Sequence, residues 1–225
     1  MNSSSTYRKT RILEVGAGGD GITKFLKYSG VLEKFEVVLT DINKAKLKSV
    51  KLGYPIIADG CNLPFRDDSF DVVLSVDVLE HIPKREREEF LRELKRVHTK
   101  IILLHFILHD PKKGFLGKIA DLKFQEWHTR TFGMPEPNTA EHINAGHPNL
   151  NEILKVLPNP QITGTQNINV WLKYEKHSKK PLIGLFTGLI YHLKWKKEDN
   201  KPPFHACLLK YVKTKNAESS KASNR

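Results

Sequence analysis

An open, doubly wound α/β fold is what this sequence predicts, and three observations predict it. Short apolar runs alternate with amphipathic, helix-like segments through the first half of the chain. Several of those runs are apolar nearly throughout, as parallel strands covered on both faces require. A near side-chain-free turn, GAGGDG at 16–21, follows the first run and leads into a helical pattern.

Ile12 to Val15 reads as the first strand and Ile22 to Tyr28 as a short helix. Phe35 to Thr40 (FEVVLT) is the second strand, and Asn43 to Leu52 is helical in pattern, stopped by Gly53. Ile56 to Ala58 supplies a third strand and Phe70 to Val76 (FDVVLSV) a fourth. Pro83 then opens a helix, in which Phe90, Leu91, Leu94 and Val97 form one apolar stripe. Ile101 to Ile107 is the fifth strand. Repeated strand–helix–strand crossovers make residues 8–107 Rossmann-like. The rhythm then breaks. Residues 109–150 are rich in Pro, Gly, Asn and His with little continuous pattern, and such a long irregular stretch is expected to be a cap over a site. Residues 151–157 suit a helix, while 161–173 and 204–212 suit two more strands, separated by an insertion at 177–200.

The 225 residues suffice for one large domain, expected over 8–213, with disordered ends at 1–7 and 214–225. Two distant cysteines, Cys61 and Cys207, give no disulfide framework, and the polar start of the chain lacks an apolar leader. No apolar run approaches the roughly 20 residues needed to cross a bilayer. These features predict a cytoplasmic location. The net charge of +12 is uneven: Trp171 to Arg225 holds 13 Lys/Arg against 4 Asp/Glu, so 13 − 4 = +9 lies there. Such a field attracts nucleic acid, anionic lipid or acidic molecules, unless it is only a solvated tail.

In an open α/β sheet, ligands sit beyond the carboxyl ends of the strands. Gly16 to Gly21 lies over that edge, and Gly16, Gly18 and Gly21 fit the GxGxxG pattern of a dinucleotide loop. A tight turn without a ligand is the bland alternative. Glu14, two residues before the first glycine, is ill-suited to phosphate and well suited to a cationic group. Asp41 ends the second strand, the position from which an acid holds ribose hydroxyls. Asp59 ends the third. A ligand with a ribose and a positive end, but no pyrophosphate, satisfies this set. A nicotinamide oxidoreductase is the competing reading.

Taken in order, LEVGAGGDG, VVLTDI, ADGCNLPFRDDSFDVVLSVDVLEHIP and the fifth-strand segment resemble the class I S-adenosylmethionine-dependent methyltransferases, of the type 11 subgroup. The resemblance covers about residues 8–107. It implies a seven-stranded sheet, mostly parallel, with a reversed last strand, and S-adenosyl-L-methionine as cofactor. It implies that Glu14 orients the loop and the methionine ammonium, with Gly16, Ala17 and Gly18 passing under the methionine. Asp41 would hold the ribose, Ile42 would pack on the adenine, and Asp59 would accept from the adenine amino group, beside the Gly60 and Cys61 backbone. Val76 would lie near the methionine end. Asp20 stands where the family usually has glycine, so the loop is expected to turn differently.

No catalytic residue is assigned from sequence. Glu80 and His81 resemble a pair that is mostly structural in this family, and His105, His109, His128, His142 and His147 are all candidate bases near the pocket. Glu141, His142 and His147 lack zinc-site spacing, so no metal is expected. The acceptor is expected to be a small molecule, sugar-containing or lipid-linked, because the Asn-Pro-Pro-Tyr type of tetrapeptide that holds a flipped base is absent after strand four. A nucleic-acid methyltransferase and an inactive cofactor-binding module are the alternatives. PLIGLFTGLIYHLKWKK, residues 181–197, is apolar with a basic end and reads either as a packed helix or as a peripheral membrane contact.

Overall fold

A computed structural model describes residues 8–213 of the chain, apart from Asp20 and Ser49. The ends expected to be disordered, 1–7 and 214–225, and the Asp20 departure lie outside the described residues.

β1 (Thr10–Val15) pairs in parallel with β2 (Phe35–Asp41) on one side and β4 (Phe70–Val76) on the other. β3 (Tyr54–Ile57) continues the sheet beyond β2, and β5 (His98–Ile107) continues it beyond β4. Pro55 is tolerated in β3 because this is the outermost strand. Two two-residue strands follow, β6 (His109–Asp110) and β7 (Phe115–Leu116), and then β8 (Gln161–Asn167) and β9 (Phe204–Val212). β9 runs antiparallel to β5 on one side and to β8 on the other, so it is the reversed strand. The order β3-β2-β1-β4-β5-β9, with β8 beside β9, is the expected seven-stranded sheet, and β6 and β7 extend its edge.

The helices cover both faces. α1 (Thr23–Tyr28) and α2 (Lys44–Leu47) precede α3 (Arg87–Val97), whose stripe Phe90, Leu91, Leu94 and Val97 is buried as its spacing predicts. That stripe meets Leu13, Val73, Ile102 and Leu104 of the central strands in the larger core. Ile12, Val37, Leu39 and Leu74 form the smaller core on the opposite face. Burying each such side chain is worth about 1.5–3 kcal/mol.

Four element expectations differ from the structure, the first being that the helix expected to open at Pro83 begins at Arg87, after a turn. α2 is four residues long rather than spanning 43–52; Asn43 caps its start by accepting from Ala45 and Lys46 N–H. The strand expected over 161–173 stops at Asn167. There the Asn167 side chain accepts from the N–H of Asn169 (2.9 Å) and Val170 (3.3 Å), which starts α7 (Ile168–Ser178). Residues 109–150, irregular by pattern, contain α4 (Gly117–Phe132) and α5 (Pro137–Ala145). Their stripes are interrupted by buried polar residues, Asp121 and His128 in one and Thr139 and His142 in the other, which hides the helical period. α6 (Leu150–Val156) falls where expected. The 177–200 insertion is a run of short helical turns over 181–199, with Gly184 packed so that a Cβ would stand 2.7 Å from the Ser178 carbonyl.

Candidate functional site

The carboxyl ends of β1, β2, β3 and β4 border a cleft of about 520 Å³, within the usual 300–1,000 Å³ of small-molecule sites. The glycine turn is pinned to β2. Thr40 carbonyl accepts from the N–H of Gly16 (2.8 Å) and Ala17 (2.9 Å), and Asp41 Oδ2 accepts from Gly18 N–H at 2.9 Å. Asp41 Oδ1 accepts from Asn43 N–H at 2.7 Å, so one carboxylate orders both the turn and the start of α2. Gly16 has φ +76°, and a Cβ there would lie 2.3 Å from Val78 Cγ2, so neither the backbone angle nor the space admits a side chain. Glu14 is buried beneath the turn, and its Oε1 accepts from Ile22 N–H at 2.8 Å. At the end of β3, Asp59 Oδ1 accepts from Cys61 N–H at 2.9 Å. Burial first, then the charges of Asp59 and Glu86, push the Cys61 thiol up to about 11, so it stays neutral.

Six of the residues singled out from sequence line this cleft: Gly16, Asp41, Ile42, Asp59, Gly60 and Cys61. Four stand behind its wall. Glu14 braces the turn, Ala17 joins the smaller core, Gly18 is held by Asp41, and Val76 ends β4 just before the lining residues Asp77 and Val78.

A second chamber of about 390 Å³ adjoins the cleft, and Asp77, His81 and Asn138 line both. Sequence reasoning did not find it. Asp77 has φ +54°, and its Oδ1 accepts from His105 Nδ1–H at 2.7 Å. Burial opposes charge on His105, yet the hydrogen bond and charge of Asp77 outweigh it and raise the imidazole pKa. Deeper in, Asp121 of α4 is fully buried and accepts three histidine N–H groups. Oδ2 takes His142 Nδ1 (3.0 Å) and His147 Nε2 (2.9 Å), and Oδ1 takes His205 Nε2 (2.9 Å). Burial would raise the Asp121 pKa, but those three donors win and hold it well below the usual carboxylate range. His205 stacks on Trp171 at 3.9 Å, and for this imidazole burial prevails and lowers the pKa.

His142 Nε2 faces His81 Nε2 at 3.2 Å, and His81 Nδ1 lies 3.0 Å from Glu141 Oε2. Each Nδ1 must donate, since carboxylates only accept. The two Nε2 atoms therefore need one N–H between them, and one imidazolium charge is shared by the pair. The shifts agree: burial and the neighbouring His142 lower His81, whereas Asp121 overcomes burial and raises His142. Glu80 is the remaining acid. It is 1% exposed, its Oε1 accepts from Ile107 N–H at 3.3 Å, and burial pushes its carboxyl up to about 7. Its Oε2 has no hydrogen-bond partner among the described residues. The available sequence signals were weak: a lone Asp121 in an apolar stripe, and the His142 and His147 spacing.

Residues 13–100 match the family described as "Methyltransferase domain". A norajmaline N-methyltransferase from Rauvolfia serpentina is 38% identical over 93 residues, covering 36% of this chain and 31% of that protein. A ubiquinone/menaquinone biosynthesis C-methyltransferase from Azotobacter vinelandii is 30% identical over 135 residues, covering 52% and 50%. The chain thus spans half or less of the length of these curated relatives. The solved structure of magnesium protoporphyrin IX methyltransferase from Synechocystis PCC 6803, with bound SAH, superposes with a TM-score of 0.53 at 14% identity, over 92% of this chain and 75% of that one. A likeness of that kind establishes the fold. Residues 13–100, which carry the glycine turn, Asp41 at the end of β2 and Asp59 just after β3, match the methyltransferase-domain family, and the sheet with its reversed β9 has the fold of that solved structure.

Proposed function

We propose that the chain transfers a methyl group from S-adenosyl-L-methionine, held in the cleft, to a small-molecule acceptor held in the adjoining chamber. The observation that carries this reading is the wall the two spaces share, Asp77, His81 and Asn138. In this reading the cofactor and the acceptor meet at these three residues, and placement is the main task when the methyl donor is already reactive. When bound, the sulfonium supplies that electrophilic methyl.

The residues present suit such a molecule. Each Asp41 oxygen accepts one backbone N–H and keeps a further lone pair for a ribose hydroxyl. Asp59 and the Gly60–Cys61 backbone offer acceptor and donor groups to an adenine edge, and Ile42, 71% exposed, offers it an apolar face. Glu14 and the Gly16–Gly18 turn would serve the methionine end, with Val76 behind it. α4 and α5 wall the chamber and would act as the cap assigned to 109–150. Two relatives are named for nitrogen and carbon methylation, which supports a small-molecule acceptor without fixing its atom.

Calorimetry with S-adenosylhomocysteine tests the cofactor half. Replacing Asp41 with Ala removes charge-assisted hydrogen bonds worth about 1.5–3 kcal/mol each, so binding should weaken at least tenfold. Unchanged affinity would reject the ribose role. Transfer of labelled methyl into a metabolite extract tests the rest, and binding without transfer to any extract would favour the inactive-module alternative.

A second reading concerns the lipid-linked acceptor. In 181–197, Leu182 and Leu185 are each 79% exposed and Leu193 is 74% exposed, next to Lys194, Lys196 and Lys197. Apolar side chains beside a cluster of lysines suit an anionic membrane surface. No helix among the described residues is long and apolar enough to cross a membrane. Contact at the surface would deliver an acceptor from the membrane.

A further inference from the structure

We propose that the chamber selects an amine acceptor, which enters as its ammonium ion, and that Glu80 takes the nitrogen's proton before methyl transfer. The proposal rests on the methyl-transfer reading above and names the acceptor class of the same site.

Charge in the chamber favours a cation. The chain carries +12 overall, yet the chamber wall holds four carboxylates, Asp77, Glu80, Glu136 and Glu175, against one lysine, Lys179, and the one imidazolium charge shared by His81 and His142. Lys179 Nζ lies 3.8 Å from Glu136 Oε1, and Lys179 also acts on Glu175. Glu136 Oε2 is occupied in capping α5 through Thr139 N–H at 2.9 Å. Asp77 is paired with His105. Glu80 alone among these acids is almost fully buried with an oxygen that has no hydrogen-bond partner among the described residues. A buried polar atom without a partner costs about 1–3 kcal/mol, more when charged, so a donor reaching Oε2 recovers that cost.

Phe124 and Trp171 meet edge-to-face at 5.5 Å on the same wall, and aromatic faces attract ammonium groups. A carboxylate-bearing acceptor would meet like charges here, and a neutral alcohol would leave the charge of Glu80 unmatched. An amine with an apolar body satisfies both the carboxylate and the rings.

The chemistry follows from the nitrogen. An ammonium has no lone pair, so it cannot attack. Glu80 Oε2 accepts one proton, leaving a neutral amine and a neutral carboxylic acid. The freed lone pair forms the N–C bond as the S–C bond breaks, which gives a methylated ammonium and a neutral thioether. Glu80 returns its proton to water when the products leave. The groups around Glu80 suit this exchange. Burial and then Asp77 favour its protonated form, whereas its own backbone N–H, His142 from α5 and the Ile107 N–H from β5 favour its anion; Arg87, His105 and Cys207 also feel its charge. The balance leaves its carboxyl near neutrality, where both forms are accessible.

The test uses the whole 225-residue chain saturated with S-adenosylhomocysteine and two cation probes, methylammonium and benzylammonium. Each is titrated beside a neutral partner: methanol and benzyl alcohol. At least one cation is expected to bind tenfold or more tightly than its partner, and Glu80→Gln to remove that preference while changing S-adenosylhomocysteine affinity by less than twofold. The wild-type comparison stands even if Glu80→Gln does not fold. Cofactor binding without cation preference in any pair overturns the amine assignment and leaves methyl transfer standing. Cation preference that survives Glu80→Gln overturns the role of Glu80. Absence of cofactor binding overturns both readings.

Discussion

Removing the Asp121 carboxylate should cost this protein a large part of its stability. Asp121→Ala deletes the acceptor shared by His142, His147 and His205, three donors at 2.9–3.0 Å around a fully buried carboxylate. Those histidines come from α5, the loop after it, and β9, so the acid ties α4 to the cap and the sheet together. Breaking a buried charged pair by deleting one partner costs about 3–5 kcal/mol. The total stability of such a domain is about 5–15 kcal/mol. For a chain of this size the loss corresponds to a fall in Tm of about 6–20 °C. Asp121→Asn keeps the shape but offers one oxygen, so it should lie between wild type and Ala. Urea unfolding at pH 7, followed by far-UV dichroism and by tryptophan fluorescence (Trp171 stacks on His205), gives both midpoint and slope. A lower midpoint with an unchanged slope is expected. A loss under about 1 kcal/mol in Asp121→Ala would show that the hub is not a structural tie, and the reasoning from buried pairs would fail here.

Two further outcomes are expected. Stability should peak near pH 6.5. Burial lowers the pKa of His81, His98, His109 and His205, so their contribution is complete above the unfolded value of about 6.5 and is lost as the pH falls through their folded values. His105 and His142 are raised by their carboxylate partners, so theirs is complete below about 6.5 and is lost as the pH rises through theirs. Glu80, raised to about 7, and Glu175, also raised by burial, oppose the acid limb, leaving four shifted histidines against two carboxyls there. Thermal melts across pH 5–9 check this, and a maximum at pH 8 or above would contradict it. For the 181–197 segment, the protein should pellet with anionic liposomes at low salt and less at high salt, because exposed lysine contacts are screened. Equal, negligible pelleting with neutral and anionic vesicles at both salt levels would leave the segment as packing only.

What could be read from the sequence was whatever local backbone demands write into it. Gly16 must be glycine because of its φ and because Val78 crowds it, and Asp41 must stand at the very end of β2 to reach Gly18 N–H. Such constraints fall within a few residues or between elements of fixed order, and the two faces of a parallel sheet impose apolar runs that are hard to mistake. The strand misplaced over 168–173 shows the limit. Ile168 and Val170 carry a strand-like alternation, but a single capping side chain, Asn167, turns the chain into a helix. That turn matters for function, because it carries Trp171 and Glu175 to the chamber wall.

The chamber itself was illegible for a different reason. Asp121 and His205 are 84 positions apart, and His105 and Thr165 are 60 apart, so no spacing rule connects them. Composition pointed the wrong way as well. A net charge of +12 is a sum over the whole chain, weighted toward the final quarter, and it predicts attraction for anions. The four carboxylates of the chamber come from the loop after β4, the start of α5 and the far side of α7, and only the fold assembles them. Around Glu80, which is almost fully buried, charges act at lower dielectric, whereas the surface lysines are screened within about 10 Å. The acceptor therefore responds to the local field of Glu80 and its neighbours rather than to the net charge, and a basic protein can hold a site for cations.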